Sequence, residues 1–173
     1  CFPLSFKPRR KCCSAFALSR AEPLIVVKRR KLWRTGWRKT FNQAIRGLRQ
    51  ILLNFPNGGI RKDILTIVDF GQKTEARRFL VLDLQNEKIL FQTWVHHGRK
   101  SDQNLDRFAE RFSNVNNSNQ SSTGFMLASD EPYIGNWGYS LRVHGIDGAL
   151  NSNMHLRAMV IHPWPNIHPR DLA

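Results

Sequence analysis

The sequence predicts a mainly β fold with one leading α-helix. Apolar residues first recur at three- and four-residue spacing, and beyond residue 59 they form short runs rich in branched side chains. The chain has 173 residues, a length that suits one domain of ordinary size. No apolar run exceeds four residues, whereas a helix that crosses a bilayer needs roughly 18. The sequence therefore predicts no transmembrane segment.

The leading helix is predicted over residues 40–53. Thr40 and Gln43 form a capping-box pattern at its start. Asn, Pro and Gly residues within 54–59 favour turns and end the helix. One helical face carries five apolar residues: Phe41, Ala44, Ile45, Leu48 and Leu52. We expect Phe41, Leu48 and Leu52 to pack onto the sheet that follows.

Three strands are predicted directly after the helix, at 64–70, 78–84 and 88–95. They are short and rich in β-branched and aromatic residues. Because only residues 85–87 separate the second from the third, these two strands are predicted to form a hairpin in an antiparallel sheet.

The second half of the body has weaker patterns. Further strands are predicted at 124–128, 139–143 and 157–162. The spacing of Leu105, Phe108 and Ala109 predicts a short helix over residues 102–111. The Asn- and Ser-rich residues 114–122 predict an exposed connection, since these side chains compete for backbone hydrogen bonds.

The net charge of +14 lies almost entirely at one end of the chain. Residues 1–50 hold 14 of the 27 Lys and Arg residues but only one acid, Glu22. Residues 1–33 mix these charges with three prolines and show no periodicity, so we predict a disordered basic arm. One functional hypothesis is therefore that the arm binds a polyanion such as nucleic acid, with phosphates held by charge and bases stacked on indole rings. The residues that support this are Lys28, Arg29, Arg30, Lys31, Trp33, Arg34, Trp37, Arg38 and Lys39.

The competing interpretation of the arm is a solvated basic flank that binds nothing. The salt dependence of binding distinguishes the two interpretations, because phosphate binding weakens steeply as the salt concentration rises. Nucleic-acid binding is the less favoured hypothesis, since the body beyond residue 50 is almost neutral.

The three cysteines, Cys1, Cys12 and Cys13, all precede residue 14. An odd count with no CxxC spacing predicts neither a disulfide-built fold nor a zinc site.

The sequence also lacks a GxSxG elbow, a Walker loop, a GxGxxG turn and an HExxH helix. Six histidines have no acidic partners at metal-binding spacing, so we expect neither a metal nor another cofactor. No unbroken apolar stretch of signal-peptide length occurs near the start, so the sequence itself predicts no location.

His162 ends a predicted buried strand, and titratable residues at strand ends often contribute to sites. Taken alone, a histidine in such a place is more often a satisfied or exposed side chain than a catalytic one. Segments elsewhere in the chain decide between these two interpretations of His162.

From about residue 41 to residue 162 the chain resembles the murein L,D-transpeptidase catalytic-domain family, bacterial envelope enzymes that re-link peptidoglycan stem peptides. The order and spacing of seven segments carry this resemblance. They are ILTIVDF at 64–70, RFLVLDL at 78–84, VHHGRKS at 95–101, FSN at 112–114, SSTGF at 121–125, GYSLR at 138–142 and VIH at 160–162.

The resemblance implies a β-sandwich whose reaction is acyl transfer through a cysteine thiolate, with a histidine as base and backbone N–H groups around the oxyanion. His162 matches that histidine. By the same resemblance, the residues implied to bind peptidoglycan stem peptides are His97, Gly98, Ser122, Gly124 and Arg142. The family implies a location in the periplasm or cell envelope.

The chain departs from the family after His162. The resemblance places a Ser-x-Gly-Cys motif roughly two dozen residues downstream, but no cysteine follows His162, and Pro163 stands where glycine is usual. We therefore predict a partial, C-terminally incomplete domain at 34–162, followed by a divergent tail at 163–173 that a frameshift or gene truncation would explain. The thiol step is then lost and the chain is expected to be inactive, unless the arm brings one of its cysteines to the site. A body that still binds murein peptides without cutting them is the remaining alternative.

Overall fold

The computed structural model describes residues 37–54 and 63–164. One helix leads, and seven strands follow it. The elements are α1 (Arg38–Asn54), β1 (Ile64–Val68), β2 (Phe79–Asp83), β3 (Lys88–Thr93), β4 (Met126–Ala128), β5 (Tyr133–Gly135), β6 (Gly138–Gly145) and β7 (Val160–Ile161), with a single 3-10 turn at Gly148–Leu150 between β6 and β7. The prediction of a mainly β fold with one leading helix is confirmed. The predicted basic arm lies outside the described residues.

The helix α1 packs on the first sheet through its N-terminal half. Trp37, just before the helix, is 1% exposed and forms a core with Ile67, Leu80 and Leu82. Phe41 and Ala44 of α1 pack against this core together with Leu65 and Leu84. Burial of these apolar side chains removes them from water and fixes the helix on the sheet.

Two details of the helix prediction are wrong. The helix begins at Arg38, so Thr40 lies in its first turn and not at the N-cap, and its hydroxyl donates to Asp69 Oδ2 over 2.9 Å. Leu52 was expected to pack inward but is 39% exposed, since the core lies under the opposite end of the helix.

The burial of Trp37 removes one of the residues that support the polyanion hypothesis, and the hypothesis itself stays a prediction. An indole ring that is 1% exposed within the core cannot stack on a nucleic-acid base. Trp33, the other indole of that hypothesis, lies outside the described residues.

The first sheet is an antiparallel meander of β1, β2 and β3. Its predicted strands and hairpin are confirmed, and the register of β2 and β3 shifts between Val81 and Leu82. The strand β1 ends at Val68, earlier than predicted, because the next residue begins a turn. Asp69 Oδ1 accepts the Gly71 N–H over 3.1 Å, and Asp69 Oδ2 accepts the side-chain amide of Gln72 over 3.0 Å.

The second sheet is built around β6. Its two halves pair antiparallel with β4 and β5, and the short strand β7 pairs with Leu141 and Arg142 in between. The sequence analysis missed β5, which reaches β6 through a tight turn ending at Gly138, at φ 93°. The Asn136, Trp137 and Gly138 run is the turn signal that predicts this hairpin.

One predicted element of the second half is wrong, and another is shorter and more exposed than predicted. Residues 102–111 form no helix, because Asp102 accepts the backbone N–H groups of Asp106 and Arg107, and Leu105 and Arg107 have φ of 57° and 77°. Residues 157–162 contain only the two-residue strand β7, and Ile161 within it is 36% exposed, so the strand is not the buried one expected.

Candidate active site

His162 directly follows β7, at the strand end where the sequence predicts it. Its Nδ1 lies 2.9 Å from the carbonyl oxygen of Pro163. Because a carbonyl oxygen only accepts hydrogen bonds, this contact requires a proton on Nδ1. The Nε2 atom of the neutral ring then carries the lone pair, which is the state that a general base needs.

Arg142 lies on β6 opposite Val160, so the β6–β7 pairing places it within two residues of His162 along β7. Its guanidinium carbon lies 5.1 Å from the centre of the Tyr133 ring on β5, a cation–π contact. The side chain is exposed, so its charge is available to an anionic group.

His97 and Gly98 lie in the loop after β3, where Arg78 contacts the histidine from within the fold. Arg78 is 0% exposed, and its Nη2 lies 3.1 Å from His97 Nδ1. Burial lowers the pKa of His97, and the Arg78 charge lowers it further. The Gly98 N–H donates to the Ser121 hydroxyl over 2.8 Å, which connects this loop to the one that carries Ser122.

Ser122 is 4% exposed and is bonded on two sides. Its hydroxyl donates to the Ser113 carbonyl over 2.9 Å and accepts from Arg157 Nη1 over 2.5 Å. Arg157 also donates to the Ser118 hydroxyl and to the Gln120 carbonyl, over 3.0 Å and 2.6 Å. The Asn- and Ser-rich connection predicted as exposed is therefore partly buried and held by one guanidinium.

Gly124 has a backbone role at the entry to β4. It adopts φ 99°, and a Cβ atom there would lie 2.5 Å from Asp147 Oδ2 and 2.8 Å from Asn151 Nδ2. Asn151, 0% exposed, donates to the carbonyls of Thr123 and Phe125 and accepts the Asp147 N–H. Only glycine combines this backbone conformation with so close a neighbour.

The structure brings the predicted site residues together in two groups. His97, Gly98 and Ser122 belong to one set of loops, joined through Ser121, whereas His162 and Arg142 share the β6–β7 pair. Their roles in substrate binding and catalysis stay predictions.

Sequence reasoning missed Arg78 and Arg157, which organise these loops. Both arginines were placed at the start of predicted strands, but neither was assigned a structural role, because arginine is mostly a surface residue. The signal that marks Arg78 is its place at the start of an apolar strand, where a charge requires buried partners.

Among the described residues, one set of acids has oxygen atoms within 4.8 Å of one another: Asp102, Asp106 and Glu110. Asp102 accepts two backbone N–H groups of its own loop, and Glu110 accepts that of Gln103. These carboxylates therefore stabilise the loop.

The cysteine that the chemistry requires is not part of the described structure. Cys1, Cys12 and Cys13 are the cysteines of the sequence, and all three precede Trp37. No residue of 37–54 or 63–164 offers a thiol to His162.

The described domain is mainly β, with a histidine at a strand end and with loops that carry Gly98, Ser121 and Ser122. A sequence model of the L,D-transpeptidase catalytic domain matches residues 37–172, well over half of the chain. The protein therefore belongs to the L,D-transpeptidase catalytic-domain family. No curated protein and no solved structure gave a match to the chain.

Membership of this family confirms the resemblance and connects the protein in general terms with peptidoglycan. The match begins at Trp37, where the core begins, and it includes residues 163–172, which the sequence analysis separated as a divergent tail. The domain boundary at residue 162 stays a prediction. In the part of the chain that the structure describes, no helix has the length and apolar character to cross a membrane.

Proposed function

We propose that the domain acts on peptidoglycan stem peptides by cysteine-dependent acyl transfer, with His162 as the general base. The observation that supports this most is the contact between His162 Nδ1 and the Pro163 carbonyl, which leaves Nε2 free to accept a proton. A backbone carbonyl at Nδ1 fixes both the tautomer and the orientation of the ring.

In the proposed reaction, His162 Nε2 takes the thiol proton and the thiolate attacks a peptide carbonyl of the donor stem. The C–N bond breaks, the leaving amine takes the proton from His162, and a thioester remains on the enzyme. An acceptor amine then attacks the thioester, gives its proton to His162 and releases the thiolate.

The thiol is the component that the described residues do not supply. We therefore propose that residues 37–164 contribute the scaffold, the base and the substrate loops, and that the 173-residue chain alone does not complete the reaction. A thiolate mechanism without the thiol loses the covalent step entirely. Because peptidoglycan lies outside the cytoplasm, the proposal also implies that the domain acts in the cell envelope.

Recognition of the stem peptide is proposed for the loops that carry His97, Gly98 and Ser122 and for Arg142 on β6. The exposed Arg142 guanidinium suits the carboxylates of a stem peptide. Gly124 contributes indirectly, because its backbone conformation sets the entry to β4 beside Asp147.

Binding tests this proposal without turnover. A synthetic tetrapeptide stem is added to the ¹⁵N-labelled chain, and chemical-shift changes are mapped. We expect saturable changes at His162, His97 and Arg142 and none at the exposed Phe91 on β3. An all-L peptide of the same composition is the matched control. Equal binding of both peptides, or changes confined to the first sheet, would contradict the proposed substrate.

A further inference from the structure

Arg78 is a buried cation whose hydrogen-bond acceptors are all neutral. Its side chain is 0% exposed, directly before β2. Nε and Nη2 donate to the Val95 carbonyl over 3.1 and 3.0 Å, Nη1 donates to the Gln72 carbonyl over 2.8 Å, and Nη2 also contacts His97 Nδ1. The Phe70 ring covers the guanidinium carbon at 5.0 Å.

Burial of a charged guanidinium costs free energy. The contact between Arg78 and His97 is therefore expected to have a role. Desolvation lowers the pKa of Arg78 to about 10, against a smaller opposing effect of Glu75 and Asp69. At neutral pH the guanidinium is therefore still protonated and can only donate. An apolar side chain of similar volume would fill the same space without the desolvation cost.

The donor-only character of Arg78 determines the state of His97. Because Arg78 Nη2 donates, His97 Nδ1 must be the acceptor, and the ring proton must lie on Nε2. Burial and the Arg78 charge both lower the pKa of His97, against smaller opposing effects of Asp102 and Glu110, so the ring is neutral at pH 7. The Phe70 ring lies beside the imidazole, with the two ring centres 6.5 Å apart.

The tautomer of His97 is opposite to that of His162. The Pro163 carbonyl leaves His162 with a lone pair on Nε2, whereas Arg78 leaves His97 with a proton on Nε2. In the described part of the chain, no side chain or backbone group accepts the His97 Nε2 proton. One ring is prepared to accept a proton, and the other is prepared to donate a hydrogen bond.

We propose that Arg78 is a positioning residue that fixes His97 as a neutral donor at Nε2, and that this N–H binds a carbonyl oxygen of the peptide substrate. The first half of the proposal stands on the geometry alone. The second half rests on the proposed function.

The tautomer of His97 is measured directly by ¹H–¹⁵N long-range correlation spectra of the full chain. We expect a single Nε2–H tautomer in the wild type and a mixture in Arg78→Met, while Arg77→Met, which removes a neighbouring exposed arginine, leaves the spectrum unchanged. A mixed or Nδ1–H tautomer in the wild type overturns the proposal, even if Arg78→Met does not fold.

Binding of the tetrapeptide stem tests the donor role. The side-chain amide of His97→Gln places an N–H near the position of Nε2, whereas that of His97→Asn places one near Nδ1. We expect His97→Gln to retain more affinity than His97→Asn, which is expected to lose roughly tenfold, the loss of one hydrogen bond. Equal affinity of the three proteins overturns the donor role.

The two proposals fail in different ways. If the wild type shows the Nε2–H tautomer but does not bind the peptide, the proposed substrate and the donor role toward it are both wrong, and only the positioning by Arg78 stands. If the peptide binds but the tautomer is mixed, the proposed function stands and the role of Arg78 is wrong.

Discussion

Single residues in this protein take their roles from their hydrogen-bond partners. His97 and His162 are the same residue type, yet a guanidinium donor at one Nδ1 and a carbonyl acceptor at the other give them opposite tautomers. The sequence indicated both histidines but not the two arginines that organise the loops. The position of Arg78 before an apolar segment marks it, but the partners of Arg78 and Arg157 could not be found from sequence, because a local pattern does not reveal which distant carbonyls come within reach of a guanidinium.

Arg157 is expected to be the largest single contributor to the stability of the loop at residues 113–122. Its guanidinium donates to two hydroxyls and two carbonyls of that loop. Hydrogen bonds to charged groups contribute about 1.5 to 3 kcal/mol each, and their contributions are not additive. We expect Arg157→Met to lower the free energy of unfolding by about 3 kcal/mol, measured by urea denaturation.

The exposed Arg99 provides the control for this measurement, since Arg99→Met removes the same charge from a nearby loop. We expect a change within about 0.5 kcal/mol. Equal effects of the two substitutions would show that the Arg157 network does not stabilise the fold.

At the scale of elements, predictability follows the length and regularity of the pattern. The helix α1 was predicted from its three- and four-residue apolar spacing, and the strands β1, β2 and β3 were predicted from short runs rich in β-branched and aromatic residues. The strand β5 has three residues and β7 has two, so both are too short to show an alternating pattern. Residues 102–111 have helical spacing, but Asp102 binds the backbone there and prevents a helix.

The helix also makes a contact that its apolar spacing did not predict. Gly47 is the one buried residue that the structure describes within α1, and a Cβ at this position would lie 1.7 Å from Cζ of the Phe125 ring. Phe125 directly precedes β4, so this contact joins the helix to the second sheet. The strands of the first sheet and Phe125 thus both contact one helix.

Gly47→Ala is therefore expected to destabilise the protein although alanine favours helices. The propensity gain is about 1 kcal/mol, whereas overpacking against an aromatic ring costs about 1 to 3 kcal/mol. We expect a net loss of unfolding free energy of about 1 kcal/mol, measured by urea denaturation. Gln50→Ala on the exposed face is the control. The double variant Gly47→Ala, Phe125→Leu should recover stability relative to Phe125→Leu alone, and failure to do so would contradict this contact.

Acid is expected to destabilise the fold through three histidines whose pKa is lowered in the folded chain. Burial lowers the pKa of His96, His97 and His144 below the ordinary value of 6.5, and the stacked ring of His155 adds to the effect on His144. The unfolded chain then binds more protons than the folded chain, so the free energy of unfolding decreases as the pH falls below about 6.5.

Urea denaturation between pH 8 and pH 5 measures this dependence. We expect little change from pH 8 to 7 and a decline below it, smaller in His97→Gln than in the wild type. The pKa values of Glu75 and Asp83 are lowered in the folded chain. These two carboxylates therefore lose their contribution to stability only below pH 4.5, at lower pH than the histidines. Greater stability at pH 5.5 than at pH 7 would contradict this account.

In the whole molecule, most of the net charge and most of the folded body lie in different parts of the sequence. The described body contains the sheets, the candidate base and the loops proposed to bind the substrate, whereas most of the net charge of +14 lies before residue 51. Trp37, which the polyanion hypothesis assigned to the basic arm, instead anchors the helix in the core. The family match and the core both begin at this residue. The body is therefore the part of the molecule for which a function can be tested from structure.

The 173-residue chain is expected to show no L,D-transpeptidase turnover on tetrapeptide stems, and His162→Ala is expected to change nothing in that assay. In the proposed mechanism His162 acts only on a nucleophile, and no thiol follows residue 13. Ser101 and Ser122 do not replace it, because both are buried and their hydroxyls are bonded within the loops. Product formation is followed by mass spectrometry, and Cys12→Ala and Cys13→Ala are assayed in parallel. Turnover that His162→Ala abolishes would show that another nucleophile acts, and turnover that either cysteine variant abolishes would show that the N-terminal residues reach the site.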